Sequence, residues 1–270
     1  ICSNTATNIS ISSSSSGTSF SWTFTTSGSV SGGSNGSGST ISQTLVNSSP
    51  NPQTVTYQIT PSYTNNGVIC NGSQISVVIT VNPSASISNN PVSQTLCTGN
   101  NTTPVTWTSL SSVSSYSWIA TSSAGITGFI SNGTGNLPSM PLTNNTNIQA
   151  SLIYSVTSSV NACPGAPSDY TIIVNPNAIA DFIPTDTIKC PPFNITNTIL
   201  GLQTFPANNG QYEWYVNDTL FFTGAVFPGY TILNEDDSVT IKLKAISLFG
   251  CKADSMSRKF YTYKLPHPAF

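Results

Sequence analysis

Three tryptophans, each two positions after another aromatic residue, recur at a fixed interval. Trp22 in "FSWTFTTSGS", Trp118 in "YSWIATSSAG" and Trp214 in "YEWYVNDTLF" lie 96 and again 96 residues apart. Such a period commits the chain to an array of similar units, since each recurrence marks one supersecondary structure repeated. A cysteine stands on either side of each tryptophan, in the orders Cys2–Trp22–Cys70, Cys97–Trp118–Cys163 and Cys190–Trp214–Cys251. A second landmark, "TVNPSAS" at 80–86, returns as "IVNPNAI" at 173–179 and more loosely as "YKLPHPA" at 263–269. Pro83 to Cys97 and Pro176 to Cys190 both span 14 residues. The units are therefore expected at 1–83, 84–176 and 177–266, with 267–270 read as the start of a further one. Unit one lacks the dozen residues that precede the first cysteine of the other two, so its opening strand is expected to be missing.

Apolar residues alternate with period two inside each unit. "TVTYQIT" sends Val55, Tyr57 and Ile59 to one face; "ISVVITV" does so with Ile75, Val77, Ile79 and Val81; "SVTIKLKA" does so with Val239, Ile241, Leu243 and Ala245. That is the pattern of half-buried antiparallel strands. Gly, Pro and Asn punctuate the strands, and no segment has a helical period with caps. Short strands with turns every 8–12 residues, in units of about 90, predict an all-β chain of tandem immunoglobulin-like sandwiches in a rod-like array. The tryptophans are then expected to fill the middle of each sandwich; a ligand platform is the competing reading.

Six cysteines allow 15 pairings, and the repeat leaves one natural choice: Cys2 with Cys70, Cys97 with Cys163, Cys190 with Cys251. Each bridge would staple a unit's last hairpin to its early strand and contribute about 4 kcal/mol through loop closure. No bridge between units is expected. Disulfides would place the chain in an oxidising compartment; reduced core cysteines are the alternative.

Only 6% of residues are charged, and Asp169 is the first ionisable Asp, Glu, Lys, Arg or His in the sequence. Ser, Thr and Asn must keep the first two units wet. A net charge of −2 offers no basic face for nucleic acid, and no apolar run is long enough to span a bilayer.

The succession Cys, aromatic-x-Trp, "TYQIT", Cys, "TVNP", with "ISQTLVNSSPNPQTVTYQITP" at 41–61 and "SLFGCKADS" at 247–255, resembles the PKD and PKD-like repeats of giant bacterial cell-surface proteins. Arrays of this kind are typical of gliding-motility adhesins exported by the type IX secretion system. The resemblance implies an extracellular, cell-surface location. It also implies partners among neighbouring repeats of a longer chain, surface polysaccharide, and outer-membrane secretion or motility machinery. Unit three departs from the first two in its charge and in a shorter Trp-to-Cys interval.

No residue through 168 can act as an acid or base near neutral pH, and the single histidine, His267, has no partner in view. No catalytic residue is assigned, and no cofactor. Asp236 and Asp237 in "NEDDS", joined by Asp181 or Asp186, are the calcium candidates, although the spacing matches no EF-hand and a solvated turn is the favoured reading. Asp-[Ser/Thr]-apolar triplets mark Thr187, Thr219, Ser238 and Ser255 as candidate O-glycosylation sites by resemblance to the sequon of the same bacteria; ordinary turn chemistry competes. Phe221, Phe222, Phe227 and Tyr230 group as a carbohydrate-stacking candidate, with hairpin packing as the alternative, and Glu213 is expected on a solvated strand face. The function expected is a non-catalytic stalk or adhesive segment. A carbohydrate-binding accessory array of a polysaccharide-degrading enzyme and a passive surface-layer or filament spacer are the alternatives.

Overall fold

The computed structural model describes residues 1–89, 93–111, 114–201 and 211–268. Alternation becomes sheet in the same way three times. In unit one the closing strand Ile75–Val81 pairs with the long strand Gln53–Asn65, which pairs with the tryptophan strand Ser19–Thr26 and, beyond it, the edge Gly36–Ser37. Unit two repeats this order with Ser168–Asn175, Ala150–Val160, Ser114–Ser122 and Asn132–Thr134. Unit three does so with Asp254–Thr262, Ser238–Ile246, Gln211–Val216 and Thr219–Thr223. Every second residue of Ala150–Val160 is buried. Shorter strands face each main sheet, among them Thr44–Asn47 between Thr5–Ala6 and Val30–Ser31, and Phe193–Ile195 against Tyr230–Ile232. A single helical turn, Asn197–Leu200, is the one helix among the described residues.

Most of the buried apolar residues form three separate clusters, one drawn from Trp22 to Val81, one from Val105 to Val174 and one from Ala178 to Phe260. Trp22, Trp118 and Trp214 lie inside them at 7%, 4% and 0% exposure. A buried indole N–H needs an acceptor, and all three find one at the sheet edge: Ser34 O at 3.2 Å, Gly135 O at 3.2 Å and Gly224 O at 3.1 Å. The ring of Trp118 meets Tyr154 edge-on, and that of Trp214 tilts against Phe227.

The cysteines depart from the sequence expectation. Bridges join Cys2 to Cys163 and Cys97 to Cys251, while Cys70 and Cys190 carry exposed free thiols. Pairing of Cys2 with Cys70, Cys97 with Cys163 and Cys190 with Cys251 is overturned, and both bridges run between units. The reason is geometric. The first cysteine does not open a strand; it lies where the chain pairs in parallel with the end of the closing strand, Cys97 as the last residue of Gln94–Cys97 opposite Asn175 and Cys2 as an isolated bridge opposite Asn82. The second cysteine sits on the hairpin that precedes the closing strand. The whole closing strand, about 23 Å at seven residues, therefore separates two cysteines of one unit. A disulfide tolerates Cα atoms no more than about 7 Å apart. Cys2 also supplies the parallel pairing in unit one that a four-residue strand, Gln94–Cys97, supplies in unit two. At the far end, Ala269 and Phe270 of the expected further unit lie outside the described residues.

Candidate functional site

The two joints between units are the most elaborated places in the molecule. At the first, residues 1–3 lie along the closing strand: the Ile1 nitrogen donates to Thr80 O at 2.8 Å, Asn82 N to Ile1 O at 2.9 Å and Ser3 N to Asn82 O at 2.8 Å. This sets Cys2 beside Asn82, immediately before Pro83 carries the chain into the next unit. From the other side comes the hairpin of unit two. Asn161 and Ala162 hold φ of 47° and 65° at its tip, the two-residue turn whose twist matches its strands, and Cys163 pairs with Val160 just beyond. The Cys2 and Cys163 Cα atoms are 5.4 Å apart.

Polar contacts reinforce the sulfur bridge. Asn161 Nδ2 donates to Asn82 Oδ1 at 3.0 Å, and Asn82 Nδ2 approaches Cys163 Sγ at 3.7 Å. Gly165 lies so close to the linker that a β-carbon there would stand 1.8 Å from Ala85 O. Cys163 is 3% and Val160 1% exposed, although neither belongs to the core cluster of unit two. The second joint repeats the plan. Thr98 N donates to Asn175 O at 2.8 Å, Gln149 Nε2 to Asn175 Oδ1 at 2.8 Å, and Cys97 reaches Cys251 with Cα atoms 5.5 Å apart.

A buried asparagine holds the strand ends near each joint. Asn47 Nδ2 donates to Asn51 O and Val81 O at 2.9 and 2.8 Å, and its Oδ1 accepts from Ser49 N. Asn144 does the same with Ile148 O at 2.7 Å, Val174 O at 2.8 Å and Thr146 N. Thr7 and Thr102, each five residues after its unit's first cysteine, are likewise buried and bonded to backbone. None of these four was singled out by reading the sequence. The spacing of the asparagines, 97 residues, was there to be found, but Asn is too common in this chain for one pair to stand out.

The remaining sequence candidates are scattered. Asp237 accepts the amide of Ser238 on its own carboxylate, Asp186 pairs with Lys189 at 2.9 Å, and Asp236 occupies a turn at φ 56°. No group of three or more His, Cys, Asp or Glu suited to a metal occurs among the described residues. Thr187, Thr219 and Ser255 are exposed and Ser238 is half-buried. Glu213 makes an ion pair with Lys244 at 2.8 Å and accepts from the Tyr215 hydroxyl; the Lys244 hydrogen bond is the main cause holding its pKa below the usual value. His267 meets Glu235 at 2.6 Å and holds its carboxyl down in the same way. Phe227 is buried, whereas Phe221 and Phe222 are 43% and 37% exposed, with Phe221 edge-on to Tyr230 beside a shallow cleft.

A sequence profile described as "PKD-like domain" matches residues 1–85 and again 94–178. No curated protein matches the chain. Among solved structures, the crystal structure of Dpr2 Ig1-Ig2 in complex with DIP-Theta Ig1-Ig3 aligns at 9% identity and TM-score 0.44, covering 97% of this chain and 95% of that one. Drosophila N-cadherin EC1-4 aligns at 11% identity and TM-score 0.34, covering 98% and 72%. Mouse cadherin-23 EC22-24 aligns at 12% and 0.31, covering 91% and 86%.

Proposed function

The chain belongs to the PKD-like domain family, and from that premise we propose that it is a non-catalytic, load-bearing stalk segment of an extracellular, cell-surface adhesin. One observation carries the reading: each bridge spans a joint between units rather than the inside of a unit. Sandwiches stacked end to end touch mainly their neighbours, and joints between them are ordinarily the points of freedom. Here each joint carries a covalent clamp, which suits a rod that spans distance under tension. Oxidising surroundings fit the bridges. No helix among the described residues is long and apolar enough to cross a membrane. Attachment to outer-membrane secretion or motility machinery, use in gliding, and contact with surface polysaccharide remain part of this proposal through the family resemblance.

The bridges overlap, because Cys97–Cys251 begins inside the loop that Cys2–Cys163 closes. When the chain is pulled from its ends, the shortest covalent path runs from Cys2 to Cys163, back along the chain to Cys97, and across to Cys251. A fully stretched oxidised molecule should measure about 300 Å, against about 900 Å once reduced, at roughly 3.4 Å per residue. Single-molecule stretching with and without reductant tests this. An oxidised chain that extends as far as the reduced one would end the clamped-rod reading.

A second reading rests on the exposed Phe221 and its contact with Tyr230, which form an aromatic surface of the kind that stacks on sugar rings. A glycan-binding assay on the whole chain tests it, and binding that Phe221→Ala abolishes would favour a carbohydrate-binding array.

A further inference from the structure

Cys70 and Cys190 occupy the positions that are bridged elsewhere in the chain. On the hairpin, Gly72 N donates to Pro61 O as Gly165 N donates to Ser158 O, and Cys70 pairs with Tyr63 as Cys163 pairs with Val160. Cys70 of "CNG" is thus the counterpart of Cys163 of "CPG". At the other pole, Tyr263 N donates to the carbonyl of Lys189, the residue before Cys190. Asn82 N donates in the same way to the carbonyl of Ile1, the residue before Cys2. Cys190 is therefore the counterpart of Cys2 and Cys97.

Occupied and vacant forms of this site are both visible in one molecule. Val160 and Cys163 are 1% and 3% exposed with unit one against them, whereas Tyr63 is 44% exposed and Cys70 is open. Val68 and Ile69, the two residues before Cys70, are each more than 60% exposed. Around Cys190, Ile188, Tyr261 and Tyr263 are 42%, 42% and 51% exposed. Apolar side chains left open at both poles, next to an unpaired thiol, are what each half of a joint presents before its partner arrives.

We propose that Cys190 and Cys70 are the two halves of one further joint: each pole takes another PKD-like module, and a second copy of this chain suffices to supply it. The halves are complementary and sit on different units, so the contact is heterologous and extends head to tail instead of closing. One S–S bond forms between Cys190 Sγ of one copy and Cys70 Sγ of the next. Both S–H bonds break, and the two electrons and two protons reduce a disulfide oxidant such as oxidised glutathione to two thiols. This pairing holds whether or not the rod bears load.

The purified chain, with its two internal bridges intact, is incubated in a glutathione redox buffer and resolved without reductant. A ladder of dimers and higher species is expected. Mixing Cys70→Ser with Cys190→Ser chains should give mixed dimers about tenfold over either symmetric dimer, since docking raises the effective concentration of the matched thiols. Mass mapping should find the Cys190–Cys70 peptide. Gly72→Leu, at the counterpart of the glycine that meets Ala85, should erase the preference while its thiol still reacts with a small alkylating agent. Dimers in statistical proportion, a preference unchanged by Gly72→Leu, or chains that stay monomeric with both thiols alkylated would each overturn the proposal.

Discussion

Gly133 lies directly opposite Trp118 across the sheet edge, and a β-carbon on it would stand 2.4 Å from the indole ring. Gly36 stands opposite Trp22 in the same way, at 2.6 Å. Each of these two tryptophans therefore packs flat under an edge strand that only glycine can form, while its N–H reaches a carbonyl on that side. Gly133→Ala should push the ring off its rotamer and destabilise unit two by about 1–3 kcal/mol. Urea unfolding followed by tryptophan emission checks this. The emission should shift to the red, and an unchanged midpoint would show that the edge strand can move aside.

Asn144 ties the far end of unit two by donating to Ile148 O and Val174 O. Asn144→Ala takes the side-chain donor from the buried Val174 carbonyl and leaves Ile148 O with Thr146 Oγ1 alone, at a cost of about 1–3 kcal/mol for the lost partners. Asn144→Asp is expected to cost more, because an ionised carboxylate presents only acceptors to those carbonyls. The ordering Asp below Ala below Asn in denaturant midpoint is the measurement, and Asn47 should give the same series in unit one.

The alternating strands, the period and the burial of each tryptophan are legible in the sequence because they follow from local alternation and from counting. Cysteine pairing is a different kind of fact. Order along the chain says that Cys2 precedes and Cys70 follows Trp22, but not that they stand at opposite poles. That depends on the short stretch ending at Cys2 running parallel to the closing strand, a long-range pairing with no local signature. Asn47 and Asn144 were hidden for a compositional reason, since their neighbours Ser48, Ser49, Asn145 and Thr146 present the same polar face to a reader. His267 lacked a visible partner because Glu235, 32 residues earlier, comes to it only in the fold.

Charge distribution predicts an uneven response to pH. Glu213 and Glu235 have carboxyls held below the ordinary glutamate value by hydrogen bonds from Lys244 and His267 respectively. Their contribution is present above the unfolded value and is lost as pH falls through the lower folded one. Both lie in unit three. Units one and two contain a single carboxylate side chain, Asp169, and so have almost nothing to protonate. Pepsin at about pH 2 should therefore cut unit three first, as cleavage follows the open population. In alkali units one and two respond as well: burial raises Tyr57 and Tyr170 and pushes Tyr154 up to about 12. These phenols stay neutral in the fold, so units one and two lose stability as pH rises above the ordinary tyrosine value. Equal pepsin rates in all three units would refute the acid half.

Trypsin reads the bridge pattern in a single digest. No Lys or Arg precedes Lys189, and the next sites are Lys242, Lys244 and Lys252. Complete digestion of the denatured, unreduced chain therefore leaves 1–189 whole and releases 245–252, which carries Cys251. With Cys97 joined to Cys251, the short peptide stays attached to 1–189 and leaves only on reduction. Pairing within units would instead tie 245–252 to the fragment beginning at Cys190, and 1–189 would keep its mass when reduced apart from the hydrogens gained. The expected outcome is a loss of that eight-residue peptide from the large fragment on adding reductant. Finding 245–252 on the Cys190 fragment would remove the clamped joints, and with them the complementary poles that Cys70 and Cys190 present.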